Sequence, residues 1–333
     1  MTVVLLAPTP ANPFTGGHIY NARVAAAAPS IQLVACTPEA LSRQLALLTE
    51  HDIPVLDSLF FHALPATSAQ LTRCVWLVHL LPDTDHNRTA AARTALTPLI
   101  QAQLGAAAGA IATSDHTAAA VRARARVAVR TCRPGVEVEP AAPDETAAPR
   151  ILSIANFEPR KGLVELCRCL ASLVDLPWHW DIVGDPRASV DVAPALHAAL
   201  QATGLAARTT LHGALAPAAV NALRRRASVF ALLSHSEPYG MVFAEAIAAG
   251  VPVVAYASGG VAESVTHLTT GLLADEGDED AVRAHLRALL GDPTLRAGYA
   301  YRARAHRFPT WDECAAAFAH SAEILTHGAE LPR

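Results

Sequence analysis

The sequence predicts an α/β protein of two domains, each built on a parallel sheet, and three observations point there. Short β-branched apolar runs alternate with alanine-rich amphipathic segments from end to end, the pattern of strands and crossover helices wound into parallel sheets. The rhythm stops once, at residues 133–150 (RPGVEVEPAAPDETAAPR), where proline and acidic residues carry no apolar periodicity, and then it resumes. The length of 333 residues is about twice that of a common single domain.

In the first series the expected strands are Val3–Ala7, Ile31–Cys36, Val75–His79, Ala110–Thr113 and Val127–Thr131, with helices starting at Gly17, Pro38, Asn87 and Asp115. The second series runs through Ile151–Ala155, His179–Val183, Thr209–His212, Val229–Leu233 and Val251–Tyr256, each followed by a helical segment. Both series read as Rossmann-like sheets, giving domains over 1–140 and 141–310. The stretch Trp311–Thr326 keeps a helical pattern beyond the last strand and is expected to pack back on the first domain.

Composition narrows the function classes. Hydrophobic residues make up 52%, but alanine dominates them, and no run approaches the roughly 20 bulky apolar residues of a membrane span. The N-terminus lacks a basic region and reads as a buried first strand rather than a signal peptide, so a cytoplasmic protein is expected. A net charge of −4 offers no footprint for nucleic acid, and Arg224-Arg225-Arg226 reads as a solvated helix face. The six cysteines show neither a CxxC pair nor zinc-ligand spacing, so free thiols and no metal are expected. Of 26 basic residues only Lys161 is a lysine, which marks a position that requires a compact ammonium rather than any positive charge.

The richest segment is Ser234-His235-Ser236-Glu237-Pro238-Tyr239-Gly240-Met241-Val242-Phe243-Ala244-Glu245, between a buried strand and a helix that Gly250 ends. Tyr239, Gly240, Met241 and Val242 fall at the helix N-terminus, where unpaired N–H groups and the positive end of the helix dipole favour a phosphate. Glu237 precedes the helix and Glu245 lies more than a turn inside it, so the two carboxylates can accept hydroxyl hydrogen bonds from different parts of one ligand. The blander alternative makes Glu237 a dipole-favoured carboxylate and Glu245 a solvated helix residue. Against it stand the apolar neighbours of Glu245 and the position of the loop after a parallel strand, where open α/β sheets bind ligands.

Glu237 and Glu245, separated by seven residues with Glu-Pro-Tyr-Gly-Met-Val between strand and helix, resemble the paired-glutamate motif of glycosyltransferase family four, retaining enzymes of GT-B fold. The resemblance implies two Rossmann-like domains facing each other across a cleft, the first taking the acceptor and the second a nucleotide-sugar donor. It implies that Glu237 contacts the transferred sugar, that the Gly240–Val242 backbone holds the diphosphate, and that Glu245 binds the ribose. Ile154-Ala155-Asn156-Phe157-Glu158-Pro159-Arg160-Lys161-Gly162 resembles the family's basic diphosphate-binding turn, with Lys161 in the place of its lysine and Arg160 beside it. Asn156 departs from the pattern, which usually has a second arginine there.

Asn12-Pro13-Phe14-Thr15-Gly16-Gly17-His18 resembles the family's double-glycine loop, which would bring Gly16 and Gly17 to the donor. His79, at the end of its strand, resembles the histidine that faces the sugar; without the resemblance it reads equally well as a core histidine. Asp83-Thr84-Asp85 is read as turn and cap residues rather than a cation site. Ser258-Gly259-Gly260 reads either as a glycine loop on the diphosphate side or as a plain strand-to-helix turn. The expected activity is metal-independent, cofactor-free transfer with retention, from a UDP- or GDP-linked sugar to a small soluble acceptor. The rivals are a GT-B epimerase or phosphorylase, or a nucleotide-sugar-binding protein that has lost turnover.

Overall fold

The computed structural model describes residues 1–9, 15–85, 88–138, 140–141 and 148–327. It resolves into two units, Met1–Gly135 with Pro309–Arg333, and Val136–Phe308.

The first unit runs β1 (Thr2–Pro8), α1 (Gly16–Ala27), β2 (Ile31–Cys36), α2 (Leu41–Ala46), β3 (Asp52–Asp57), β4 (Val75–Val78), α3 (Ala90–Ala106), β5 (Gly109–Ala112), α4 (Asp115–Arg122) and β6 (Val129–Thr131). All six strands are parallel, in the order β2-β1-β3-β4-β5-β6. Val3 to Ala7 in β1 and Val75 to Val78 in β4 are buried without a break, as expected of strands covered on both faces. Among the described residues the sheet thus has six strands where the sequence suggested five. The added one, β3, carries Pro54, a residue that argues against a central strand; it is tolerated because pairing with β4 begins only at Val55. The helix expected from Asn87 starts at Ala90, with Thr89 capping it through the Ala92 amide, and Asn87 itself lies outside the described residues.

The second unit runs β7 (Arg150–Ile154), α5 (Leu163–Ala171), β8 (His179–Val183), α6 (Val192–Ala202), β9 (Thr209–Gly213), α7 (Pro217–Arg226), β10 (Val229–Leu232), α8 (Met241–Ala248), β11 (Val253–Tyr256), α9 (Val261–Ser264), β12 (Gly271–Ala274), α10 (Glu279–Gly291) and α11 (Pro293–Ala305). Its parallel strands follow the order β12-β11-β10-β7-β8-β9. Again one strand exceeds expectation: β12 is four residues long, opens on glycine and pairs only with β11, too little for a periodic signal.

The last helix, α12 (Trp311–His327), belongs to the first unit. Trp311, Cys314 and Phe318 bury against Tyr20, with ring centroids 6.0 Å away for Trp311 and 6.4 Å for Phe318. A side chain on Gly109 would sit 2.6 Å from Leu325 Cδ2, and one on Gly135 2.6 Å from the Trp311 backbone, so both glycines are there for close approach. The six cysteines are free and buried. No helix among the described residues is long and apolar enough to cross a membrane.

Candidate functional site

In each sheet the strand order reverses once, and ligands of open α/β sheets bind where the loops after the two strands flanking that reversal diverge. In the second unit the reversal falls between β7 and β10. The loop after β7 carries Asn156 to Gly162 and the loop after β10 carries Leu233 to Gly240, so the two sequence segments singled out for chemistry emerge side by side. Gly162, with φ of +63°, lets them close up: a Cβ there would lie 2.2 Å from the Leu233 carbonyl oxygen.

Lys161 and Glu237 meet across these loops, Nζ donating to Oε1 at 2.5 Å. Arg160 lies over the same carboxylate, its Nη1 3.9 Å from Oε1, and is held by bonds from Nε to Glu158 Oε2 (2.8 Å) and from Nη1 to the Ser236 carbonyl (2.9 Å). Glu237 is 6% exposed. Burial pushes its pKa up, but Lys161 and Arg160 outweigh it and leave the net shift downward, so the carboxylate stays ionised. Burial also dominates at Lys161: it lowers the ammonium pKa despite Glu237, with Arg160 adding to the depression. The arrangement sets two cations, Lys161 and Arg160, against two carboxylates, Glu237 and Glu158, in a largely desolvated corner, so an incoming anion can compete with the carboxylates for cations already in place.

Gly240 adopts φ of +83° and opens α8, placing Met241 and Val242 in the first turn. As the first two residues of a helix their N–H groups lack intrahelical acceptors. The Tyr239 side chain is buried, and its carbonyl accepts the Ser264 hydroxyl at 2.8 Å. Ser258-Gly259-Gly260 settles under Glu237, with the Gly260 amide donating to the Glu237 carbonyl at 2.7 Å. At Gly259 (φ +57°) a Cβ would fall 2.2 Å from that same carbonyl oxygen. Gly259→Ala is therefore expected to push the Glu237 backbone out of place and lower stability by about 1–3 kcal/mol; an unchanged urea midpoint would show that the loop moves independently of Glu237.

Glu245 lies on α8 and pairs with Arg224 of α7, Nη2 to Oε2 at 2.5 Å, while 26% of its side chain remains exposed. This corrects the reading of Arg224-Arg225-Arg226 as a solvated face. Arg225 and Arg226 are exposed, but Arg224 is 4% exposed and also bonds Asn221, so it holds the Glu245 carboxylate. His235, unassigned from sequence, donates from Nδ1 to Glu276 (2.7 Å) and from Nε2 to Glu165 (2.9 Å). The bonds to Glu165 and Glu276 outweigh its burial and raise its pKa to about 9, which makes it an imidazolium at neutral pH. Asn156, the departure from the family pattern, turns its Oδ1 to the Asp185 amide at 3.1 Å and ties the loops after β7 and β8 together.

In the first unit the reversal lies between β1 and β3. Gly16 and Gly17 form the start of α1, while Asn12, Pro13 and Phe14 lie outside the described residues. Gly17 packs on His79, where an added Cβ would come 3.1 Å from Cδ2. The His79 Nε2 bonds Asn21 Oδ1 at 3.0 Å, and Asn21 Nδ2 donates to Asp57 Oδ2 at 2.7 Å. Its side chain is 16% exposed. Burial lowers the His79 pKa, only partly offset by Asp57, so the ring is neutral. Asp83 is taken up by Arg124 Nε (2.7 Å) and Thr97 Oγ1 (3.0 Å).

Several known proteins are similar to this chain in sequence or fold. D-inositol 3-phosphate glycosyltransferase of Segniliparus rotundus is 30% identical over 213 residues, 60% of this chain and 47% of that protein. A GDP-mannose-dependent alpha-(1-6)-phosphatidylinositol monomannoside mannosyltransferase of Mycobacterium tuberculosis is 32% identical over 181 residues, 48% of this chain and 46% of that protein. The matches thus span less than half the length of these relatives. Among solved structures, sucrose-phosphate synthase from Thermosynechococcus elongatus aligns with a TM-score of 0.81 at 20% identity, over 98% of this chain and 99% of that one. Anabaena HepE in complex with UDP and glucose aligns with a TM-score of 0.79 at 19% identity, over 98% and 99%. These likenesses establish a GT-B-type α/β fold. Residues 139–306, which hold the Lys161–Glu237 pair and Glu245, match the family model of glycosyl transferases group 1, and the chain belongs to that family.

Proposed function

We propose that the protein transfers a sugar, with retention at the anomeric carbon and without a metal, from a UDP- or GDP-linked donor to a small soluble acceptor. The observation that carries this reading is the 2.5 Å contact of Lys161 with a buried Glu237, beside the open first turn of α8. A nucleoside diphosphate leaving group gains negative charge as its bond to the sugar breaks. Lys161, Arg160 and the Met241 and Val242 amides supply the complementary positive field. As the diphosphate arrives it takes over part of the Lys161 charge, and Glu237 turns from its partner to the sugar hydroxyls. Glu245, steadied by Arg224, accepts from the ribose.

In the proposed step the bond from the anomeric carbon to the diphosphate oxygen breaks and a bond to the acceptor oxygen forms on the same face. The acceptor proton passes to an oxygen of the departing diphosphate. His79 accepts a hydrogen bond from a sugar hydroxyl and does not act as a base. The relatives support both bases: one is named GDP-mannose-dependent, and HepE was crystallised with UDP and glucose.

A thermal-shift series with UDP, GDP, ADP and TDP tests the donor site. A ligand that binds only the folded chain stabilises it by RT ln(1 + [L]/Kd), about 2.7 kcal/mol at 100 Kd. The expected result is a base-selective rise in Tm that Glu245→Ala abolishes. A folded protein with no shift for any nucleotide overturns the reading.

A further inference from the structure

We infer that Asp57 and Asn21 are positioning residues that fix His79 in a single tautomer, Nε2–H with Nδ1 bare, so that the ring can only accept a hydrogen bond from the sugar. The argument runs outward from the most buried group. Asp57 is 1% exposed and its two oxygens are both used as acceptors: Oδ1 takes the Leu59 amide at 2.9 Å and Oδ2 takes Asn21 Nδ2 at 2.7 Å. A carboxylate offers no donor, so the Asn21 amide must present its NH2 to Asp57 and its oxygen to the other side. Asn21 is itself 1% exposed and has no room to exchange the two ends without leaving Asp57 facing another acceptor.

The amide oxygen meets His79 Nε2 at 3.0 Å. An oxygen can only accept, so Nε2 carries the proton, and in a neutral imidazole Nδ1 then holds a lone pair. The Asp57 carboxylate, 3.7 Å from Nε2, favours a proton on that nitrogen for the same electrostatic reason. Among the described residues Nδ1 has no partner, and the side chain keeps part of its surface open. Gly17 lies against the Cδ2 edge, and turning the ring over would replace the Nε2 bond to Asn21 Oδ1 with a carbon. The three residues come from α1, which follows β1, from the end of β3 and from the position just after β4; β1 and β3 flank the reversal of the first sheet, and β4 lies next to β3. They form a chain in which a buried charge sets an amide, and the amide sets an imidazole.

The chemical consequence rests on the donor reading proposed above. A hydroxyl-accepting nitrogen selects donors with a free hydroxyl at that place on the sugar, and a tautomer mixture would present a clashing N–H part of the time. The test uses the full chain labelled with 15N-histidine, with long-range proton–nitrogen correlations of the ring and His79→Gln to assign the signal. The expected result is a neutral His79 with the proton on Nε2 in the wild type. In Asp57→Asn a second tautomer appears. Turnover of UDP-glucose or GDP-mannose should then fall about 10–100-fold, the range typical when hydrogen-bond partners that orient a metal-ligating histidine are lost, while the Tm shift from UDP or GDP alone is retained.

A wild-type His79 protonated on Nδ1, or cationic at neutral pH, overturns the inference with no variant needed, so a failure of Asp57→Asn to fold leaves the test decisive. A variant with unchanged tautomer and unchanged turnover overturns it too. Absence of any nucleotide-induced Tm shift in the wild type removes the sugar contact along with the donor reading, an outcome separate from the tautomer itself.

Discussion

Lys161→Ala is expected to lower the rate of transfer by about 10²–10³-fold, the loss that follows removal of one preorganised charge partner of a transition state. It should also destabilise the fold, and the two effects have different causes. Glu237 is 6% exposed and bonded to Lys161 Nζ at 2.5 Å, with Arg160 Nη1 no closer than 3.9 Å. Removing the ammonium leaves a buried carboxylate with a weakened counter-charge, which costs about 3–5 kcal/mol. Adding Glu237→Gln removes that stranded charge, so the double variant should unfold at higher urea than Lys161→Ala alone while remaining inactive. The pair of measurements separates structure from chemistry. If Lys161→Ala transfers sugar within a few-fold of wild type, the leaving-group role is wrong; if the double variant is no more stable than the single one, the ion pair is not what holds Glu237.

What could be read from the sequence follows from how local each signal is. The paired glutamates and Gly240 lie within nine residues on one strand-loop-helix unit, and Lys161 stood out because it is the chain's one lysine. Alternation of apolar runs revealed five strands of each sheet, but β3 was masked by Pro54 and β12 by its brevity and its leading glycine. The partners of these residues were illegible for a different reason. Asn21 and Asp57 are 36 positions apart, and Asn21 and His79 are 58 apart. Glu165 and His235 are 70 apart. No spacing rule joins such residues before the sheet order is known. Arg224 was misread because a run of three arginines on one helix gives no hint that the first turns inward to Glu245 while the other two face out.

His235 shows how such a hidden partner bears on the site, and it yields a pH dependence with a definite sign. Its ring joins Glu165 of α5 to Glu276 after β12, its face lies 5.6 Å from the Tyr256 ring of β11, and its own amide donates to the Arg160 carbonyl at 2.8 Å. The Glu237 loop is therefore tethered to the basic turn by a backbone bond, and to α5 and the loop after β12 by a cation held between two carboxylates. The folded-state pKa of His235 is raised to about 9, above the ordinary value of about 6.5. A raised pKa means that the imidazolium's contribution is fully present below about pH 6.5 and is lost as the pH climbs through about 9. Glu165 shifts the opposite way: its bond to His235 lowers its pKa against the effect of burial, so its contribution is lost only in acid. A shift of this size corresponds to on the order of 2–3 kcal/mol, with His235 23% exposed. His235→Gln removes the titration and leaves the two carboxylates facing each other without a cation. Urea denaturation of both proteins should show wild type more stable by that order at pH 6, with the difference shrinking through pH 7.5 and nearly gone at pH 9.5. Transfer activity of the folded wild type should instead hold through neutral pH and decline only through about pH 9, where the folded-state imidazolium itself loses its proton. A stability difference that stays constant from pH 6 to 9.5 would mean that His235 is neutral in the folded chain and that the clamp is packing alone.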